Sequence, residues 1–161
     1  GENVFVKIPV TDTNGRPSAE IARRLSGSGV KLNVTALMTA EQVADVAGWL
    51  ADGVPAFVSL FAGRVADTGR DPLPIMSNAL DVLRPHPHLE LIWASPREVL
   101  NIVQADAIGC HVITVTHDLL HKLSTLGRDL NDFSLATVKM FYEDGQAAGY
   151  SLRTPASAAR R

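Results

Sequence analysis

A single cysteine, Cys110, stands among 161 residues, so no disulfide can form within the chain. The opening residues have no basic stretch leading into an apolar block that ends in small residues, the pattern of a secretory leader. A reducing, cytoplasmic setting is therefore expected. No apolar run approaches the roughly 20 residues that a membrane-crossing helix requires, so a soluble protein without a membrane partner is expected. Charge of one sign is also lacking: 15 Lys and Arg face 17 Asp and Glu, for a net charge of −2 and a pI near 6.2. Such a chain creates no field for nucleic acid or an anionic membrane, so any phosphate recognition must be local.

What is present is the composition of an ordinary globular domain, 46% apolar and 20% charged, in a chain long enough for one real core. Apolar strand-like runs alternate with amphipathic stretches. "VFVKIPVT" reads as a first, buried strand, followed by the turn-rich "TDTNGRPS" and a helix "AEIARRL" that Ser18 can cap. "VKLNVTAL" is a second strand, and Thr39 caps the helix "AEQVADVAGWLADG". "PAFVSLFAGRV", "HPHLELIWAS" and "GCHVITVTH" follow as strands three to five. Helices are expected in "LPIMSNALDVLRP", in "REVLNIVQADA" with Pro96 in its first turn, in "DLLHKLSTL", and in the closing "NDFSLATVKMFYEDGQAAGY". The last stretch, 151–161, has little to bury and is expected to be a disordered tail.

Continuous apolar strands alternating with helices imply an α/β protein whose parallel sheet is covered on both faces. Two architectures fit: a doubly wound open sheet, or part of a (β/α)8 barrel. In either, sites are built at the carboxyl ends of the strands. Polar residues gather at or beside those ends: Lys7, Asn33 with Thr35, Ser59 with Arg64, and Ser95 with Arg97.

Lys7 interrupts an otherwise apolar run, which is expensive unless it snorkels from an edge, pairs with a carboxylate, or serves as an amine in a desolvated pocket that attacks a carbonyl. Arg64 and Arg97 follow adjacent strands, each close behind a hydroxyl residue. Solvated loop cations are one reading of them; a phosphate clamp of arginine, hydroxyl and backbone amides is the other. Asp67 can orient Arg64 or cap its loop.

"VKIPVT", "NVTAL", "SLFAGRVADTG" and "WASPRE", in this order and spacing, resemble the transaldolase and fructose-6-phosphate aldolase family of class I sugar-phosphate aldolases, from Val4 to about Tyr142. The resemblance implies a (β/α)8 TIM barrel of which this chain supplies about strands 4–8, with residues 1–150 as the carboxyl-terminal part of one barrel domain. It implies a Schiff base at Lys7 and a catalytic water held by Thr35. Asn33, Ser59 and Phe61 are implied to line the sugar site, and Arg64, Ser95 and Arg97 to bind phosphate. The activity implied is transfer of a dihydroxyacetone unit between sugar phosphates. The alternatives are simple aldol cleavage of fructose 6-phosphate, and a truncated, non-catalytic protein serving phosphosugar binding or assembly. Neither metal nor cofactor is expected, and a homo-oligomer assembled through the last helix is.

Departures from the family pattern accompany the likeness. The aspartate and the water-positioning acid of strands one to three have no counterpart, so the chain is expected to be the later part of a longer one, inactive or weakly active alone. Leu60 replaces a usual proline, Pro96 a usual aromatic, and Thr116 another proline. Phe61 leans towards transaldolases. Two histidine pairs read as something other than metal sites. "HDLLH", His117 to His121, lacks a third ligand and reads as a solvated helix start; "HPH", His86 and His88, reads as a turn. Cys110 reads as a small buried hydrophobe.

Overall fold

In the strands Leu32–Leu37 (β2), Ala56–Leu60 (β3) and Leu89–Trp93 (β4), buried apolar side chains recur at every second position, broken once in β2. Leu32, Val34, Ala56, Val58, Leu60, Leu89, Leu91 and Trp93 form one sheet face, and each is almost wholly buried. The computed structural model that shows this describes residues 3–150; the expected tail, 151–161, lies outside the described residues. Two further strands, Val6–Pro9 (β1) and Val112–Ile113 (β5), complete a five-stranded sheet in the order β1-β2-β3-β4-β5. Every pairing is parallel.

Helices Ala19–Gly27 (α1), Ala40–Ala47 (α2), Leu73–Leu83 (α4) and Val99–Ala107 (α5) alternate with the strands, and a short helix, Ala62–Ala66 (α3), follows β3 directly. Ala22, Val43, Val46, Met76, Ala79, Leu83 and Ala105 from these helices join the buried strand face in one core. The opposite face carries Lys7, Asn33, Phe57 and Glu90 in one row, paired strand to strand. Lys7 and Glu90 are exposed, while Asn33 and Phe57 are half-buried.

Three expectations are corrected here. The helical core takes in one face of the sheet, so the apolar runs do not reflect cover on both faces. A doubly wound sheet reverses its strand order at a switch point; this order never reverses, which removes that architecture and leaves sequential winding, as in barrels. Finally, β1 is not a buried strand: Val6 is 42% exposed and Lys7 is exposed, because among the described residues β1 forms an edge of the sheet and pairs with β2 alone.

Several boundaries also move. α2 stops at Ala47, β3 stops at Leu60 where Phe61 opens α3, and β5 is two residues long. Ser18 precedes α1 without a side-chain cap bond. Pro96 lies ahead of Glu98, the N-cap of α5. Thr39 caps α2 as expected, its hydroxyl accepting from Gln42 N–H at 3.2 Å while the Gln42 side chain accepts from Thr39 N–H.

The chain divides into two compact units, Gly1–Ser124 and Thr125–Arg161. The first holds the sheet, its core and the helix His117–Lys122 (α6). The second holds Leu130–Ala147 (α7), in which no residue is buried. No helix among the described residues is long and apolar enough to cross a membrane.

Candidate active site

The open face of the sheet is built by pairing. Lys7 of β1 lies beside Asn33 of β2, and Pro9 beside Thr35. Lys7 and Asn33 are each the second residue of their strands, two and four residues short of the carboxyl ends where the sequence reading put them. Between β2 and β3 the register shifts after Val34, so that Leu37 regains its pairing opposite Leu60. Ala36 takes a left-handed backbone, φ +68°, within this bulge. A bulge of this kind re-aims side chains beside it. Here the Ser59 hydroxyl donates to Asn33 Oδ1 at 2.8 Å, joining β3 to β2 across the face. Thr35 Oγ1 is buried and has no hydrogen-bond partner among the described residues. A buried hydroxyl of that kind is a natural holder for a small polar ligand or water.

Beyond the carboxyl ends, α3 and the β4–α5 loop interlock. Gly63 N–H donates to Ala94 O at 3.3 Å, and a Cβ on Gly63 would lie 1.5 Å from the Ser95 carbonyl oxygen. Only glycine permits that approach. Ser95 has φ +57°, a strained conformation for a residue with a side chain. Arg97 N–H donates to Asn101 Oδ1 at 2.7 Å, and Glu98 N–H shares the same acceptor at 3.2 Å. Asn101 is itself buried, so it fixes the loop that carries Ser95 and Arg97.

Arg97 forms a two-pronged ion pair with Asp67 at the end of α3, Nε lying 3.1 Å from Oδ1 and Nη2 bonding Oδ2. The expectation that Asp67 orients Arg64 is corrected: the loops place Arg97, not Arg64, within its reach. Arg64 instead lies over the Phe61 ring, 5.2 Å from its centroid, a cation–π arrangement. Arg97 lines a cavity of about 330 Å³ with Ser95, Thr114 and Thr116. Arg64 lines another of about 590 Å³ with Met38, Thr39, Thr68 and Arg70.

The structure thus brings Lys7, Asn33 and Ser59 together, and separately Ser95 with Arg97 and Phe61 with Arg64. The two arginines line different cavities. Sequence reasoning missed Glu90, on the Lys7 row, though the signal was the one that exposed Lys7: a charge inside an apolar strand, "LELIW". It missed Asn101 as well, whose signal was its place three residues after the cap Glu98. Cys110 is half-buried; burial pushes its thiol above the usual range, and it donates weakly to the carbonyls of Leu91 and Val112.

Residues 1–156 match the model of the family described as Transaldolase/Fructose-6-phosphate aldolase. A probable transaldolase of Nitrosopumilus maritimus is 32% identical over 125 residues, covering 76% of this chain and 53% of that protein. One from a Thermoanaerobacter species is 31% identical over 152 residues, covering 94% and 64%. One from Myxococcus xanthus is 28% identical over 158 residues, covering 97% and 65%. The chain therefore spans about half to two thirds of the length of these relatives. With its sequentially wound parallel sheet, its polar strand face and a match over nearly its whole length, the chain belongs to the transaldolase/fructose-6-phosphate aldolase family.

Proposed function

We propose that this chain contributes the lysine and phosphate side of a transaldolase-type reaction, moving a dihydroxyacetone unit between sugar phosphates. The observation that carries the reading is the row of Lys7 beside Asn33, with Asn33 held by Ser59, on a face left open by the helices. In this reading the Lys7 amine adds to the ketose carbonyl, and loss of water leaves an iminium. As the C3–C4 bond breaks, its electron pair flows to the iminium nitrogen and an enamine remains. The hydroxyl proton at C4 leaves to a carboxylate base and returns to the acceptor's aldehyde oxygen as the new bond forms. The enamine then attacks an acceptor aldehyde, and hydrolysis frees Lys7. Thr35 holds the water of these steps, and Asn33, Ser59 and Phe61 line the sugar site.

Arg97, fixed by Asp67 and Asn101, and Ser95 beside it take the phosphate, with Arg64 of α3 lending charge from the neighbouring cavity. The five strands take the place of strands 4–8 of a (β/α)8 barrel, with residues 1–150 as one barrel domain. Cytoplasmic residence fits the single cysteine. Leu130, Phe133, Leu135, Val138 and Phe141, all exposed on α7, support assembly of a homo-oligomer through that helix.

The test is incubation with fructose 6-phosphate and borohydride, followed by intact mass, beside Lys7→Met. A reduced sugar adduct on the parent chain and none on the variant is the expected result. Lys7 is exposed, so the variant should fold. No adduct on the parent chain sinks the Schiff-base reading and favours a non-catalytic phosphosugar-binding role. Should the adduct form, product release without an acceptor aldehyde would identify aldol cleavage instead of transfer.

A further inference from the structure

At the amino ends of β3 and β4, the loops entering these two strands bring Asp52, His86 and His88 together. One carboxylate oxygen and one ring nitrogen from each histidine all lie within 4.8 Å of one another. We propose that these three residues bind a single divalent zinc-like cation, which clamps the α2–β3 loop to the α4–β4 loop.

Three observations carry this. The donor set comes first: two imidazoles and a carboxylate suit zinc, whose sites commonly use these ligands and leave a fourth position to water. Neighbouring ligands on a tetrahedral zinc with bonds of about 2.1 Å sit ~3.4 Å apart, so closing the cluster takes at most ~1.4 Å of movement. Asp52 is exposed and can supply that movement by side-chain rotation.

The histidine backbone is held in place independently of any metal. His86 N–H donates to Leu83 O at 2.8 Å, and Leu89 N–H to His86 O at 2.9 Å. Ala56 N–H donates to His88 O at 3.0 Å, which extends the β3–β4 ladder back into the loop. A site whose ligands are already anchored loses little freedom when it binds. Lastly, His88 Nε2 is buried and has no hydrogen-bond partner among the described residues. Buried polar atoms are normally satisfied, and coordination through Nε2 would supply the partner this nitrogen lacks.

The second histidine pair provides the control. His117 and His121 face each other on α6 with their Nε2 atoms 3.1 Å apart. That pair belongs to no such cluster of three or more among the described residues. The clamp is structural. It lies at the amino ends of the strands and takes no part in the proposed sugar chemistry.

The test is zinc titration of the full chain, free of any affinity tag and stripped with chelator, by calorimetry and thermal unfolding. Expected are one zinc per chain and a higher unfolding temperature with zinc. Asp52→Asn and His86→Gln should each weaken binding by at least about 10-fold, since even groups that merely orient metal ligands contribute 10–100-fold. The double variant His117→Gln/His121→Gln should bind as the parent does. Both single variants alter side chains that are not buried, and circular dichroism checks that they fold. No zinc uptake, uptake that survives both single variants, or uptake lost in the double variant would each overturn the proposal.

Discussion

A methyl group at residue 63 has nowhere to go. Its carbon would sit 1.5 Å from the Ser95 carbonyl oxygen and 3.3 Å from Arg97 Nε, and the first of these is backbone that cannot swing aside. Gly63→Ala must therefore push α3 and the β4–α5 loop apart. It should cost about 3 kcal/mol, the upper end of overpacking penalties, measurable as a lower midpoint in urea. Because the displaced loop carries Ser95 and Arg97, affinity for a sugar phosphate should fall with it, whereas Gly27→Ala, at a position with open space and no left-handed backbone, should leave that affinity alone. At this scale a charge inside an apolar run marked the open face of the sheet, as Lys7 does in "VFVKIPVT" and Glu90, passed over in the sequence, does in "LELIW". It misled where partners are far apart along the chain. Asp67 is three residues from Arg64 and thirty from Arg97, yet the loops deliver it to Arg97. Nothing in the local pattern of "GRVAD" encodes that choice.

Among elements, helix starts were readable and strand ends were not. Thr39 announces α2 because a hydroxyl followed three residues later by glutamine is a reciprocal cap, and both of its bonds form. Thr39→Ala should destabilise the chain by about 1 kcal/mol, and Gln42→Ala should cost less once Thr39 is gone, since the two act as one unit. Equilibrium denaturation of the single and double variants measures both, and fully additive effects would argue against the paired cap. In contrast, "FVSLFAGRV" is apolar through the point where β3 becomes α3. A short apolar run does not distinguish strand from helix; the change is made at Phe61, whose N–H donates to Leu37 O while its carbonyl accepts from Arg64 and Val65. The bulge at Ala36 was equally hidden, because alanine carries no mark of a left-handed backbone.

For the molecule as a whole, the alternation of strands and helices was read correctly, but not which face of the sheet the helices cover. Continuous apolar runs suggested two covered faces, whereas the alternate residues Lys7, Asn33, Phe57 and Glu90 show the second face to be of another kind. The hydrophobic core has a further property that bears on stability. Every one of its members, from Val10 to Ala105, lies within Gly1–Ser124, as do all five strands. The helix α7, in Thr125–Arg161, buries no residue. Since burial of apolar surface is the main favourable term in folding, a chain ending at Ser124 should keep a single cooperative thermal transition. Its midpoint should lie within about 5 °C of the parent's, the shift that ~1 kcal/mol produces in a domain near this size. Loss of cooperativity would show that the sheet depends on residues 125–161. If the transition survives and the shortened chain runs smaller on gel filtration by more than its lost mass, α7 serves association between copies, and the sheet folds without it.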